Sequence, residues 1–283
     1  MVRELATARL EWKSCISEPA QCFHFEFVLD ELESFSYLPG QFISAVAEDG
    51  NGKQQTRAYS IAAAPSGNHF ELCVNRVEAG FFSNHLADLP DESDGLLPVG
   101  GKIRIHGPHG NFTLREPLTD SIFVATGTGV APMRAFLQGL FPEHGPDAAQ
   151  NRSHGKEIWL VYGTRYESDL YYRDEFEALA QRAPNFHYLP TLSRAAKDWK
   201  GLRGHVQEHV ARIIQEWDRA RAVEVARLPT EPRPEAIAAA QGTEKPFDIH
   251  AYICGLNEMV TGVRELLRSL GWDRKQIIYE RYD

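Results

Sequence analysis

Through the first third of the chain, hydrophobic and polar positions alternate with a period of two. Phe23, Phe25, Phe27 and Leu29 fall on one side of an extended segment and His24, Glu26 and Val28 on the other, the pattern of a half-buried strand. Short runs of the same kind recur at 6–13, 41–47, 56–61, 69–77 and 102–106. Between them stand Pro39-Gly40, Asp49-Gly50, Pro65-Ser66-Gly67 and Gly100-Gly101, residues suited to turns. Six short strands punctuated in this way predict a closed antiparallel barrel. One interruption, 82–89, follows Gly80 and predicts a short helix capped by Ser83.

From Ser121 the period changes. Ile122, Phe123, Val124 and Ala125 form an unbroken apolar run, as a strand covered on both faces requires. Gly127-Thr128-Gly129 supplies a turn without bulky side chains, and Val130, Ala131 and Pro132 lead into Met133, Phe136, Leu137 and Leu140 at helical spacing. Pro132 suits a first helical turn, where its missing N–H costs nothing. The open N–H groups of such a helix start face an anion or the edge of a nucleotide. The third glycine of the common dinucleotide fingerprint is absent, because Pro132 stands in its place.

Further strands are predicted at 157–162, 186–192, 248–254 and 276–280, and helices at 174–182, 206–219 and 257–270. Strand and helix in alternation predict a doubly wound parallel sheet. The chain thus divides into an antiparallel β-barrel domain, 1–117, and an α/β domain, 118–283. Segments 142–156 and 228–246 read as exposed insertions without a core role.

Composition narrows the possibilities. With 283 residues the chain is long enough for two domains, and 43% apolar with 24% charged residues is the balance of a soluble globular protein. No stretch approaches the roughly 18–20 apolar residues of a membrane helix, and 1–14 has no signal-peptide core. The expectation is a cytoplasmic protein without a membrane span. A net charge of −9 argues against a nucleic-acid partner. Cys15, Cys22, Cys73 and Cys254 show no CxxC and no clustered spacing, so no metal or iron–sulfur site is expected. Cys15, Cys22 and Cys73 read as buried thiols.

Candidate chemistry begins at Arg57-Ala58-Tyr59-Ser60, which ends a barrel strand with Arg57 and Tyr59 on one side and Ser60 on the other. Around it, in order, stand Pro39-Gly40-Gln41-Phe42, Leu72-Cys73-Val74-Asn75-Arg76-Val77, Gly80-Phe81-Phe82-Ser83 and Gly107-Pro108-His109-Gly110-Asn111-Phe112, all ahead of the Gly127 turn. This ordered set resembles the ferredoxin–NADP reductase family, over nearly the whole chain from Pro39 to Tyr282.

The resemblance implies a barrel that holds FAD. By it, Arg57 pairs with the flavin pyrophosphate, Tyr59 packs on the isoalloxazine, and Ser60 hydrogen-bonds near the flavin N5. A guanidinium, a large ring and a hydroxyl suit those tasks. Cys73, Val74 and Asn75 would then form the strand beside the flavin, and Gly80 to Ser83, with Phe82, the helix start that receives the pyrophosphate. Glu78 departs from the plant pattern, where a tyrosine stacks on the adenine.

In the second domain the resemblance puts the pyridine nucleotide on Gly127, Thr128, Gly129 and Pro132. Tyr162-Gly163-Thr164-Arg165 and Asp169-Leu170-Tyr171-Tyr172 with Glu175 match the next motifs, and Tyr252-Ile253-Cys254-Gly255-Leu256 matches the strand end whose thiol lies near the nicotinamide. The pair Ser193-Arg194 matches the 2′-phosphate site of NADP-dependent members, with Arg203 adding charge where plant enzymes have Lys-x-Tyr. NADPH is therefore favoured, and NADH stays open. At the C-terminus, Glu280 and Tyr282 match a Glu-x-Tyr ending in which the tyrosine covers the flavin and the glutamate sits by the hydride path.

The function implied is an FAD-dependent NAD(P)H oxidoreductase that exchanges single electrons with a separate ferredoxin or flavodoxin. The alternatives are a reductase component of an oxygenase, a free flavin or quinone reductase using NADH, and a non-catalytic flavin-bearing subunit. For an acidic ferredoxin, Lys53, Arg76, Lys102 and Arg104 are the candidate docking charges near the flavin edge.

Overall fold

The structure, a computed structural model, describes residues 5–90, 100–143, 150–227 and 247–282. Among these, six strands build the barrel: β1 (Ala6–Ser17), β2 (Cys22–Val28), β3 (Phe42–Glu48), β4 (Gln54–Ser60), β5 (His69–Asn75) and β6 (Lys102–His109). Their order is β4-β3-β6-β1-β2-β5, and every pairing is antiparallel. The sheet closes on itself just past β4, where Ile61 bridges Leu72 and the Ala62 N–H donates to the Glu71 carbonyl at 2.8 Å. Alternation packs Leu10, Phe25, Phe27, Ile43, Phe70 and Ile105 inside.

The short helix α1 (Phe81–Ala87) follows β5 and adds Phe82 and Leu86 to that core. Its cap differs from expectation. Gly80 takes the N-cap position, and Ser83 lies within the first turn, where its Oγ accepts the Val77 N–H at 3.0 Å. The polar side of β2 is not solvated at His24 either, because the second domain covers it: His24 is buried and its Nδ1 lies 2.9 Å from the Tyr172 hydroxyl.

The second sheet contains β7 (Asp120–Thr126), β8 (Ile158–Thr164), β9 (Phe186–Leu192), β10 (Leu202–Arg203), β11 (Ile249–Leu256) and β12 (Ile277–Tyr282). All pairs are parallel, in the order β10-β9-β8-β7-β11-β12. Helices α2 (Val130–Leu140), α3 (Arg173–Arg182), α4 (Val206–Arg227) and α5 (Asn257–Ser269) connect or follow these strands. Two hydrophobic layers cover the sheet, one with Phe123, Phe136 and Phe176, the other with Val124, Val210 and Val263. Strand order runs one way from β7 to β10 and the other way from β7 to β12, so the topological switch lies between β7 and β11. In open α/β sheets the crevice beyond the strand ends at that point is the ligand site.

Other differences from the sequence reading are local. The two-residue β10 was not anticipated, and α4 runs to Arg227. Cys15 is only partly buried, while Cys22 and Cys73 are buried. The part of 142–156 that is described holds a buried residue after all: Ser153 is enclosed, and its Oγ accepts from Asn185 Nδ2 at 2.7 Å. The segment 228–246 lies outside the described residues. Among the described residues, no helix is long and apolar enough to cross a membrane.

Candidate active site

Ser60 ends β4 where the two sheets meet. Its Oγ donates to Glu280 Oε2 at 3.0 Å, joining the barrel to the last strand of the parallel sheet. Parallel register sets Cys254 of β11 beside Glu280 and Leu256 beside Tyr282. The Tyr282 hydroxyl adjoins Ser60 and the Cys254 thiol closely enough for each to act on its titration. Residues from three strands thus converge at one point, and Ser60, Cys254, Glu280 and Tyr282 are brought together.

Electrostatics keeps this cluster uncharged more readily than water would. Burial, with the neighbouring Glu280, holds the Cys254 thiol far above the ordinary thiol range. Burial also raises the Glu280 carboxyl, against which the Ser60 hydroxyl bond acts by favouring the carboxylate. The cluster can therefore hold a proton on a carboxyl at a pH where an exposed glutamate has lost it.

Beyond the cluster lies the switch-point crevice. Gly129 packs so closely on β11 that a Cβ there would stand 2.3 Å from the Cys254 carbonyl oxygen, and a Cβ on Gly255 would stand 2.4 Å from Thr126 Oγ1. Gly255 has φ +147, open to glycine and strained for other residues. The Thr126 hydroxyl is buried without a partner. Gly127 and Thr128 form a single 3-10 turn, steadied by the Tyr162 hydroxyl donating to the Gly127 carbonyl at 3.1 Å, and Pro132 sits in the first turn of α2 as expected. Leu256 is exposed at the mouth.

Along the same edge, β8 and β9 end with Gly163-Thr164-Arg165 and Ser193-Arg194. The Ser193 and Arg194 N–H groups donate to the carbonyls of Thr164 and Arg165, each at 3.0 Å, so the two arginines share a small surface. Arg203 does not join them as a free cation. Its guanidinium donates to the carbonyls of Ala195, Ala196, Lys197 and Trp199, at 2.7–3.3 Å, and braces that loop.

On the barrel side, Thr56, Arg57 and Ala58 are exposed in mid-strand on β4, whereas Tyr59 is half-buried against the barrel core. Burial pushes the Tyr59 hydroxyl up to about 12. Cys73 and Val74 are buried, and Asn75 Oδ1 accepts from the Tyr171 hydroxyl of the second domain at 3.2 Å. Gly80, Phe82 and Ser83 surround the start of α1.

The docking charges are placed differently from the expectation. Arg104 is level with Val46 and Thr56, while Ser60 is level with Phe42 and His109, so Arg104, Lys102 and Lys53 occupy the opposite end of the barrel. Arg76 is paired with Asp88 at 3.0 Å.

The residues present fit both expected cofactors. A buried hydroxyl without a partner and two bare glycines border the nucleotide crevice, and on the barrel β4 carries an exposed guanidinium, a half-buried phenol ring and, at its end, the hydroxyl of Ser60. Fold and site together define a two-domain flavin- and nicotinamide-dependent oxidoreductase. A family model described as an oxidoreductase FAD-binding domain matches residues 7–114, and one described as an oxidoreductase NAD-binding domain matches 123–265. Ferredoxin--NADP reductase B of Sorangium cellulosum (strain So ce56) is 38% identical over 255 residues, covering 89% of this chain and 87% of that protein. The chain belongs to the ferredoxin–NADP reductase family, and it is an FAD-dependent NAD(P)H oxidoreductase. It is also similar to the toluate 1,2-dioxygenase electron transfer component of Pseudomonas putida, at 26% over 251 residues, 89% of this chain and 60% of that one. In fold it matches a ferredoxin NADP+ reductase from Neisseria gonorrhoeae with bound FAD and NADP, at TM-score 0.67 and 21% identity over 98% of each chain.

Sequence reasoning missed a second polar cluster, at the domain interface, formed by His24, Glu71, Arg134, Gln138, Tyr172 and Glu175. The available signal was Arg134 itself, a charge in the middle of the apolar run Val130–Leu140.

Proposed function

We propose that Ser60, Cys254, Glu280 and Tyr282 form the transfer centre of this reductase, with NADPH as the two-electron donor and a separate ferredoxin or flavodoxin as the one-electron partner. The observation that carries it is the Ser60–Glu280 bond of 3.0 Å, which joins the barrel to the carboxyl edge of the parallel sheet. In this reading the chain divides at 117/118 into a domain for FAD and a domain for NADPH, and the enzyme is cytoplasmic. FAD supplies the chemistry when bound, taking a hydride and releasing electrons singly.

The chain's own residues bind, orient and move a proton. Arg57 pairs with the pyrophosphate, Tyr59 offers its ring face, and Gly80, Phe82 and Ser83 form the rest of the phosphate end. Ala58, Cys73, Val74 and Asn75 line the strands on either side. Gly127, Thr128, Gly129, Pro132, Gly163, Thr164, Gly255 and Leu256 shape the nucleotide crevice. Ser60 Oγ and the Glu280 carboxyl hold the mobile proton, Cys254 positions the nicotinamide as a neutral thiol, and Tyr282 covers the ring until the nucleotide displaces it.

Specificity for NADPH rests on Ser193, Arg194 and Arg165, held together at the ends of β8 and β9, with Arg203 bracing their loop. Arg194→Ala is expected to raise the KM for NADPH much more than that for NADH, measured by bleaching of the flavin spectrum. Equal effects on the two donors would remove the assignment. The likeness to an oxygenase electron transfer component supports a second reading, in which the electron acceptor belongs to an oxygenase system. Purified ferredoxin, flavodoxin and an oxygenase component, offered in turn to the reduced enzyme, separate the two.

A further inference from the structure

Arg134 is a charged residue between two fully enclosed neighbours, Met133 and Ala135, in the middle of α2. Its side chain is 11% exposed and leaves the α/β domain for the barrel. Nη1 donates to the Ala62 carbonyl at 2.9 Å and to Glu71 Oε2 at 2.5 Å, while Nε donates to Glu175 Oε2 at 2.7 Å. The guanidinium also lies 4.6 Å from the centre of the Tyr172 ring. One turn further along α2, Gln138 donates to Glu175 at 3.2 Å and accepts the Ala64 N–H at 3.0 Å.

These contacts act on one stretch of backbone. Ala62 and Ala64 stand two and four residues after Ser60 in the chain, and Ala62 also closes the barrel onto Glu71. Tyr172, which completes the enclosure, has φ +59, a left-handed conformation that a tyrosine keeps only where its surroundings over-determine it. Its hydroxyl is fixed by His24, which burial and the Arg134 charge keep neutral, with its pKa pushed down to about 3. A buried ion pair gains little over a well-packed apolar contact, since desolvation offsets most of its attraction. Its fork geometry, by contrast, fixes direction and distance.

We propose that Arg134 is a positioning residue: its guanidinium latches α2 to the segment after Ser60 and so fixes where Ser60 stands relative to Cys254, Glu280 and the nucleotide crevice. The proposal rests on the transfer centre described above. Elsewhere along the interface the Ser17–Asp169 and Asn75–Tyr171 contacts remain without it, so the domains stay joined but less exactly aligned. A misplacement of about 1 Å at a transfer centre lowers rate by on the order of 100-fold.

The test uses the holoenzyme with Arg134→Met, Arg134→Lys and Glu71→Gln. FAD content per chain and NADPH affinity are expected to stay within about twofold of the unaltered protein, while single-turnover flavin reduction slows at least about tenfold in Arg134→Met. Arg134→Lys is expected to restore only part of the rate, because an ammonium lacks the fork. Calorimetry of the purified protein should show one sharp melting transition before substitution and a broader one after Arg134→Met, as coupling between the joined domains weakens. Glu71→Gln keeps the guanidinium and its other partners, and gives the same comparison should the Arg134 variants not accumulate. Native reduction rates in all folded variants would overturn the latch, as would a slowing that vanishes when rates are divided by bound flavin. Absence of flavin, or of bleaching by NADPH, in the unaltered protein instead removes the functional reading beneath it.

Discussion

At the scale of single residues, Glu280 couples function to stability. Its carboxyl is raised by burial in the folded protein, so the native state keeps a proton that the unfolded chain has released. The stability this provides is fully present below the ordinary glutamate range and is lost as pH rises through the raised value. Glu280→Gln is therefore expected to melt higher than the unaltered enzyme at neutral pH, with the gap closing toward acid, in a scan from about pH 4 to about pH 8. It should also reduce its flavin more slowly, by roughly 100-fold, the low end for loss of a proton-transfer group, with flavin content intact. Parallel melting curves would show that Glu280 does not titrate in that window. Ser60, Glu280 and Tyr282 were legible in the sequence because each sits in a short ordered motif. Arg134 and His24 were not, because their partners lie across a domain interface and neither is marked by local spacing.

At the scale of elements, periodicity located nearly all of the strands and helices because burial on one face or both leaves a direct trace in the pattern. What it missed has physical causes. The two residues of β10 are too few to show a period, and beyond 219 the stripe of Val210, Ile213, Ile214 and Trp217 meets Ala220, Arg221 and Glu224 at the next helical positions, so α4 reads as ending there. Ser83 looked like a cap, but a glycine at position 80 already serves, with the Ser83 hydroxyl turned back to the Val77 N–H. The element on which the crevice depends is the turn between β7 and α2. Gly129 has ordinary helical φ, so its need for glycine is steric: the Cys254 carbonyl occupies the place of a Cβ. Gly129→Ala must push the turn off β11, at about 1–3 kcal/mol as an overpacked site. Denaturant unfolding should register that loss, and NADPH titration should show weaker binding with FAD retained. An alanine variant that binds NADPH normally would mean that the β7–β11 approach does not shape the nucleotide site.

For the molecule as a whole, the proposed ferredoxin partner raises a question of charge, because the chain itself carries −9. Lys53, Lys102 and Arg104 do not answer it. Thr56, level with Arg104, is four residues before Ser60 on β4, about 13 Å at the rise of a strand. Lys53 is seven residues before Ser60, about 23 Å in the same measure. Both distances exceed the screening length of about 8 Å at physiological salt, so these charges exert little pull on a carrier seated over the transfer centre. Lys102, two residues before Arg104 on β6, is farther still from His109, and Arg104 is itself 3.8 Å from the Glu48 carboxylate. Under the proposed function a carrier approaches instead where the barrel and the last strand adjoin, near Ser60 and Glu280, so that its redox group comes close to the transfer centre. Replacing Lys53, Lys102 and Arg104 together by glutamine is thus expected to leave electron transfer to an added acidic ferredoxin within about twofold at physiological salt. The dependence of the rate on salt should keep its slope in the triple variant, since the charges that steer the encounter lie elsewhere. A steep loss of rate at low salt, or a flattened slope, would show that the carrier docks on the far end of the barrel, and the transfer path would then have to run through the barrel wall.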